Sequence, residues 1–179
     1  MTYEIEVEEC AAMPLTFRED HGWGKLNGVK LEPFKHFKLV TQNKDAEGQE
    51  LLVTMSEKDK YYPRDTGVYN VYLEADDTEN VNKNQLWWYD DIDLTICSVA
   101  NPKECLLEGG NFNFAAYKNK LLNAQRFTYN KNDKHLNNDY TKRAMGVTRT
   151  NLRDHGNVES FLIKDNDYLK WDIKYVGTS

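Results

Sequence analysis

The residues of this chain able to ligate a metal, attack a carbonyl or move a proton do not stand at spacings that would let them do so. His21, His36, His135 and His155 are far apart, with no HExxH or CxxC companion. Asp76 and Asp77, like Asp90 and Asp91, are neighbours in sequence, and adjacent acids in turns are ordinarily solvated. There is no glycine-rich phosphate cradle and no nucleophile elbow. The pattern reads against an enzyme and against any cofactor or metal. The three cysteines, Cys10, Cys97 and Cys105, are an odd number, which tilts the reading toward the cytoplasm over secretion. Cys97 and Cys105 are either free or joined across two neighbouring strands.

At 179 residues the chain has the length of one domain with a single core. Its net charge of −6 is spread along the sequence without a basic stripe, which excludes nucleic acid as a partner. No run approaches the roughly 20 apolar residues that cross a bilayer. The start, Met1 to Cys10, is acidic, unlike a secretory signal.

Helical periodicity is nearly absent, and short runs of β-branched and aromatic residues recur instead. Strands are expected at 36–41, 50–55, 68–74, 85–89, 94–99, 104–108, 112–117, 125–129, 144–148, 160–164 and 169–176. Turn formers separate them, among them Asn101-Pro102, Gly109-Gly110-Asn111, Asn130 to Asp133 and Asn137-Asn138-Asp139. Gln85-Leu86-Trp87-Trp88-Tyr89 returns forty residues later as Gln125-Arg126-Phe127-Thr128-Tyr129, and again at Leu169-Lys170-Trp171-Asp172-Ile173. Ile96 and Leu136 keep the same step, as do Cys105 and Met145. An all-β fold of three four-stranded lobes, a β-trefoil, fits this period. Trp87, Phe127 and Trp171 are then an inward layer at one depth, and Gln85 and Gln125 satisfy buried backbone groups.

The Gln-x-aromatic triplets with Cys105-Leu106 upstream resemble the ricin-B type of β-trefoil lectin domain over residues 36–176. The resemblance implies a non-enzymatic module that binds a glycan or glycoprotein. In such lectins an acid directly follows Cys-Leu and accepts from two hydroxyls, an aromatic face lies on the next hairpin arm, and an Asn precedes the Gln-x-aromatic triplet. Carried over residue by residue, the set is incomplete. The second lobe has Leu107 where the acid belongs, with Glu108 beside it, Tyr117 as the ring and Asn123 as the amide. The first has no acid in Leu51-Leu52-Val53, but Tyr72 and Asn84 stand for the ring and the amide. The third lacks the acid in Met145-Gly146-Val147, with Phe161 and Asp167 nearby. The expected carbohydrate site is therefore an atypical pocket drawn from Glu108, Tyr117, Asn123, Tyr72 and Asn84.

Residues 1–35 precede the repeat as an N-terminal extension, and 36–179 form the trefoil domain. Within the extension, Tyr3 to Glu8 alternates like an edge strand and Gly22 to Gly28 reads as a turn. Two other readings stay open. The loop at 57–67, with Tyr61-Tyr62-Pro63-Arg64, has the composition of a protein-binding anchor in the manner of protease-inhibitor trefoils. The extension could also add a strand to a second copy, giving a self-associating homo-oligomer.

Overall fold

The computed structural model describes residues 30–60, 67–77, 79–138, 140–164 and 166–177, without the side chains of 57–60. The chain is all-β. Its first four strands are β1 (Phe37–Thr41), β2 (Leu51–Lys60), β3 (Tyr69–Ala75) and β4 (Trp87–Asp90). Next come β5 (Thr95–Ser98), β6 (Glu104–Glu108), β7 (Phe114–Lys118) and β8 (Thr128–Asn130). The last four are β9 (His135–Asn138), β10 (Arg143–Gly146), β11 (Glu159–Leu162) and β12 (Trp171–Tyr175). Single 3-10 turns at Lys83–Gln85, Asn123–Gln125 and Asp167–Leu169 precede β4, β8 and β12.

All named pairings are antiparallel. Pairing runs β12-β1-β2-β3-β7-β6-β5-β4, with β1 also pairing β4, and β11-β10-β9-β8 forms the second sheet. Backbone bonds tie the two sheets together: Phe127 N–H to Leu94 O at 2.8 Å, and Trp171 N–H to Lys134 O at 2.8 Å. The hairpins β2–β3, β6–β7 and β10–β11 meet one another through Tyr69–Ala116, Asn113–Glu159 and Tyr72–Asn157.

The core lies between barrel and hairpins. Trp87, Phe127 and Trp171 are buried in it, as the repeat requires. Trp87 Nε1 donates to Val53 O at 3.0 Å and Trp171 Nε1 to Met145 O at 2.8 Å, so each indole N–H is satisfied by a hairpin strand. One layer on, the Tyr89 hydroxyl donates to Phe127 O and the Tyr129 hydroxyl to Trp171 O, both at 2.6 Å. Burial pushes the Tyr129 hydroxyl up to about 12, reinforced by the nearby Asp172 and Tyr175. Ile173 holds the third place in this series and has no hydroxyl to offer.

The glutamines sit in the 3-10 turns rather than in strands, and both are structural. Gln85 Nε2 donates to Ala75 O at 2.8 Å. Gln125 Nε2 donates to Tyr117 O and Lys118 O, and its Oε1 accepts from the Lys120 backbone N–H at 3.2 Å. Leu169, buried, replaces this clamp with apolar packing.

Two further details depart from the sequence expectations. Residues 135–138 form β9, although Asn137 and Asn138 read as turn formers. Both are buried, and Asn138 Nδ2 donates to Asn123 O at 2.8 Å, so tertiary bonding overrides propensity. Cys105 is level with Ala144, not Met145: the facing pairs Val40–Leu52, Cys97–Cys105 and Asn137–Ala144 occupy matching rungs. The β9–β10 connection is one residue shorter, which shifts the register. Of the two states left open for Cys97 and Cys105, the structure has the second, a disulfide between β5 and β6. Cys10, the strand at 3–8 and the turn at 22–28 lie outside the described residues.

Candidate functional site

The matching rungs locate the same outward position in each part of the chain. Two residues beyond Leu52, Cys105 and Ala144 on the first hairpin strand stand Thr54, Leu107 and Gly146. Opposite those three rung residues on the return strand stand Glu74, Tyr117 and Phe161. Strand alternation turns these side chains away from the core that holds their neighbours Val53, Leu73, Leu106 and Met145, although Thr54 is itself buried. The 3-10 turns supply the remaining walls: Asn82 and Asn84, Leu122 and Ala124, Asn166 and Tyr168.

In the 95–130 segment these residues do meet. Leu107 and Tyr117 pack against buried Leu122 and Ala124 in a small apolar cluster apart from the main core. Lys120 Nζ lies 5.3 Å from the Tyr117 ring centroid, over one face of it. In the 135–175 segment the place is filled: a Cβ on Gly146 would come within 2.9 Å of the Phe161 ring and 3.1 Å of Tyr168 O. Glycine is therefore the residue that fits there. The 37–90 segment has polar groups at all four positions, Thr54, Glu74, Asn82 and Asn84. Thr54 Oγ1 donates to Leu52 O at 3.0 Å, and Asn82 Oδ1 caps the 3-10 turn by accepting from Asn84 N–H at 3.0 Å. Asn84 Oδ1 is buried without a hydrogen-bond partner.

The residues singled out in the sequence are distributed as follows. Tyr117 lines the apolar cluster, but Glu108 does not join it. Glu108 pairs in register with Phe114, so it faces away from Leu107 and Tyr117, and it is 3% exposed. Its Oε2 accepts from Thr141 Oγ1 at 2.8 Å and its Oε1 lies 3.8 Å from Arg143 Nε. Burial pushes the Glu108 carboxyl above its usual range, opposed by hydrogen bonds from Thr141 and Ser160 and by the charge of Arg143. Arg143 in turn donates to Ser160 Oγ at 2.7 Å and lies 4.3 Å over the Phe112 ring. Glu108 therefore joins β6 to β10 and β11. Asn123 is fully buried, its Oδ1 accepting from Arg126 Nη1 at 3.2 Å and its backbone O from Asn138 Nδ2 of β9. It occupies the place of Lys83, one residue off the pocket wall.

Tyr72 pairs with Thr54 and shares its face, next to Glu74 and not level with Tyr117. One side of its ring is covered by His155, stacked at 4.5 Å with the planes 2° apart. The sequence reading missed Glu74 as an acid because it looked only after the Cys-Leu position. The signal was the alternation around Leu73, which puts Tyr72 and Glu74 on one face. Residues 61–66, with Tyr61-Tyr62-Pro63-Arg64, lie outside the described residues. Among the described residues no group of three or more His, Cys, Asp or Glu side chains is placed to hold a metal, and no helix is long and apolar enough to cross a membrane.

By sequence the chain matches neither a known family profile nor a curated protein. By structure it resembles β-trefoil lectins of the ricin-B type. The C-terminal half of the earthworm R-type lectin, solved with GalNAc, superposes over 79% of this chain and 99% of its own, with a TM-score of 0.63 at 9% identity. The β-trefoil lectin of Vibrio vulnificus hemolysin/cytolysin, solved with N-acetyl-D-lactosamine bound, covers 83% of this chain and 99% of its own, with a TM-score of 0.59 at 14% identity. The designed threefold-symmetric protein ThreeFoil covers 78% and 97%, with a TM-score of 0.58 at 17% identity. At these identities the likeness defines the fold, which is the β-trefoil.

Proposed function

We propose that this protein is a non-enzymatic, lectin-like binding module that takes a carbohydrate in an atypical pocket of a three-lobed trefoil. In this reading the extension spans residues 1–35 and the domain 36–179, with lobes at 37–90, 95–130 and 135–175. One observation carries it: of three matching outward positions on a fold shared with sugar-binding lectins, one combines a carboxylate, a hydroxyl and two amides. Carboxylate and amide groups are what orient the hydroxyls of a sugar. Tyr72 and Asn84 belong to this site with Thr54 and Glu74. Tyr117 offers a ring in the second lobe without an acceptor beside it, and Glu108 and Asn123 support the scaffold behind it.

The test is a broad glycan panel with NMR titration. Asn84→Ala is expected to weaken binding at least tenfold, Tyr117→Ala to weaken it less, and both variants should keep the wild-type melting profile. Absence of binding to every glycan in the panel would sink the reading.

A further inference from the structure

We infer that the cavity between the segment before β1 and strands β8 and β12 is a second site, one that takes an anionic sugar: a hexose carrying a carboxylate or a sulfate. It shares no residue with the first-lobe pocket and goes beyond the reading above. The cavity measures about 430 Å³, within the range of about 300–1,000 Å³ that small ligands occupy. Lys30 and Glu32 come from the segment before β1, Tyr129 and Lys131 from β8 and its turn, and Asp172 and Tyr175 from β12. The segment is fastened at two places: Leu31 is buried in the main core, and the Glu32 backbone N–H donates to the Tyr175 hydroxyl at 3.1 Å.

The charges around this cavity do not balance. Both carboxylates already hold a lysine. Asp172 Oδ1 accepts from Lys134 Nζ at 2.8 Å, and Glu32 Oε1 from Lys35 Nζ at 3.3 Å. Lys30 and Lys131 are exposed and have no such partner among the described residues. Two positive charges from two different elements are thus left over at one cavity, and Lys35 Nζ adds to their field from 5.9 Å over the Tyr175 ring. The Tyr175 hydroxyl, having accepted from Glu32, keeps its own proton to give. Barrel closure does not require these lysines. Leu94 and Lys134 take the same left-handed turn conformation, with φ of 61° and 58°, and forty residues before Lys131 the chain has Asp91. The turn accepts either sign of charge.

A bare anion would leave the rest of the cavity unused. Ile173 and the rings of Tyr129 and Tyr175 line it with apolar surface. The neutralised carboxylates remain acceptors for hydroxyls, because a carboxylate has lone pairs beyond the one that its lysine occupies. Apolar ring surface, hydroxyl acceptors and surplus positive charge together match a sugar that bears an acid.

The experiment titrates the full chain with glucuronate, glucose 6-sulfate, glucose, acetate and inorganic sulfate, followed by NMR. Glucuronate or glucose 6-sulfate is expected to bind about tenfold more tightly than glucose or either bare anion, with shifts at Tyr129, Asp172 and Tyr175. The tighter of the two tells a carboxylated from a sulfated ligand. Affinity should fall as salt rises, because exposed charges are screened. Lys30→Gln and Lys131→Gln should each weaken binding about fivefold to tenfold. Lys103→Gln, the same loss of charge on an exposed residue outside the cavity, should leave it within about twofold. Glucose or the bare anions binding as tightly as the acidic sugars, no binding of any of the five, or an affinity that survives both lysine changes and is lost in Asn84→Ala would each overturn the inference. The first-lobe reading stands or falls separately, on a glycan whose binding is lost in Asn84→Ala and kept in Lys131→Gln.

Discussion

Toward the core, Val53, Leu106 and Met145 differ from one another only in shape, and all three are buried. One step further along the same strands, facing outward, Thr54, Leu107 and Gly146 differ in chemistry altogether. The contrast follows from what each position must satisfy. A closed barrel needs every strand pair around it to fill the same depth with apolar volume, because close-packed interiors tolerate little change. An outward position has only to avoid a clash, so it can carry a hydroxyl, pack a leucine or be closed by a glycine. The fold is held by what repeats, and binding chemistry lies in what does not.

The largest effect expected from breaking this pattern is inside. Trp171→Ala removes a buried indole and its bond to Met145 O and is expected to cost about 3–5 kcal/mol by urea denaturation. Outward Thr54→Ala should cost well under half of that; an equal loss would erase the distinction between the two faces. Next comes the Cys97–Cys105 rung, which is covalent where its counterparts Val40–Leu52 and Asn137–Ala144 are not. With a sequence separation of 8, its loss in Cys97→Ser is expected to cost about 2.5 kcal/mol on the chain-entropy argument, and added reductant should then leave that variant unaffected. Tyr89→Phe and Tyr129→Phe each leave a buried carbonyl without its hydroxyl, and about 1–2 kcal/mol should be lost in each.

The smallest effect concerns Glu108. Its folded-state carboxyl sits above the ordinary value, so its protonated form favours folding. That contribution is complete below the unfolded carboxyl range and is lost as pH rises through the folded value. Glu108→Gln should therefore gain on the wild type between acidic and neutral pH. Melting curves across that window would read the difference, and a wild type that gained on the variant with rising pH would contradict the assignment.

The legible part of the sequence was the part that repeats. Trp87, Phe127 and Trp171 marked their layer, and Gln85 and Gln125 their backbone clamps, because barrel closure forces the same residue type to the same depth. β9 was illegible because Asn137 and Asn138 belong to a strand only through bonds to distant groups. The pocket was harder still. Glu108 is next to Leu107 in sequence yet on the opposite face, a consequence of the two-residue period of a strand. Glu74 stands on the return strand opposite Leu52, and only register between strands reveals that it shares a face with Thr54.

The pairing of β1 with β12 has one more consequence. Phe37 lies opposite Tyr175 through five consecutive rungs ending at Thr41 and Trp171, and Val176 N–H reaches His36 O at 2.9 Å. β1 and β12, the first and last strands among the described residues, are thus direct neighbours, and the path from 36 to 176 is an almost closed loop. A short linker from 176 to 36, with a new opening in the exposed turn at 131–133, would reorder the chain while keeping every sheet contact. Topologically, the order in which these strands follow one another could begin at that turn as well as at β1.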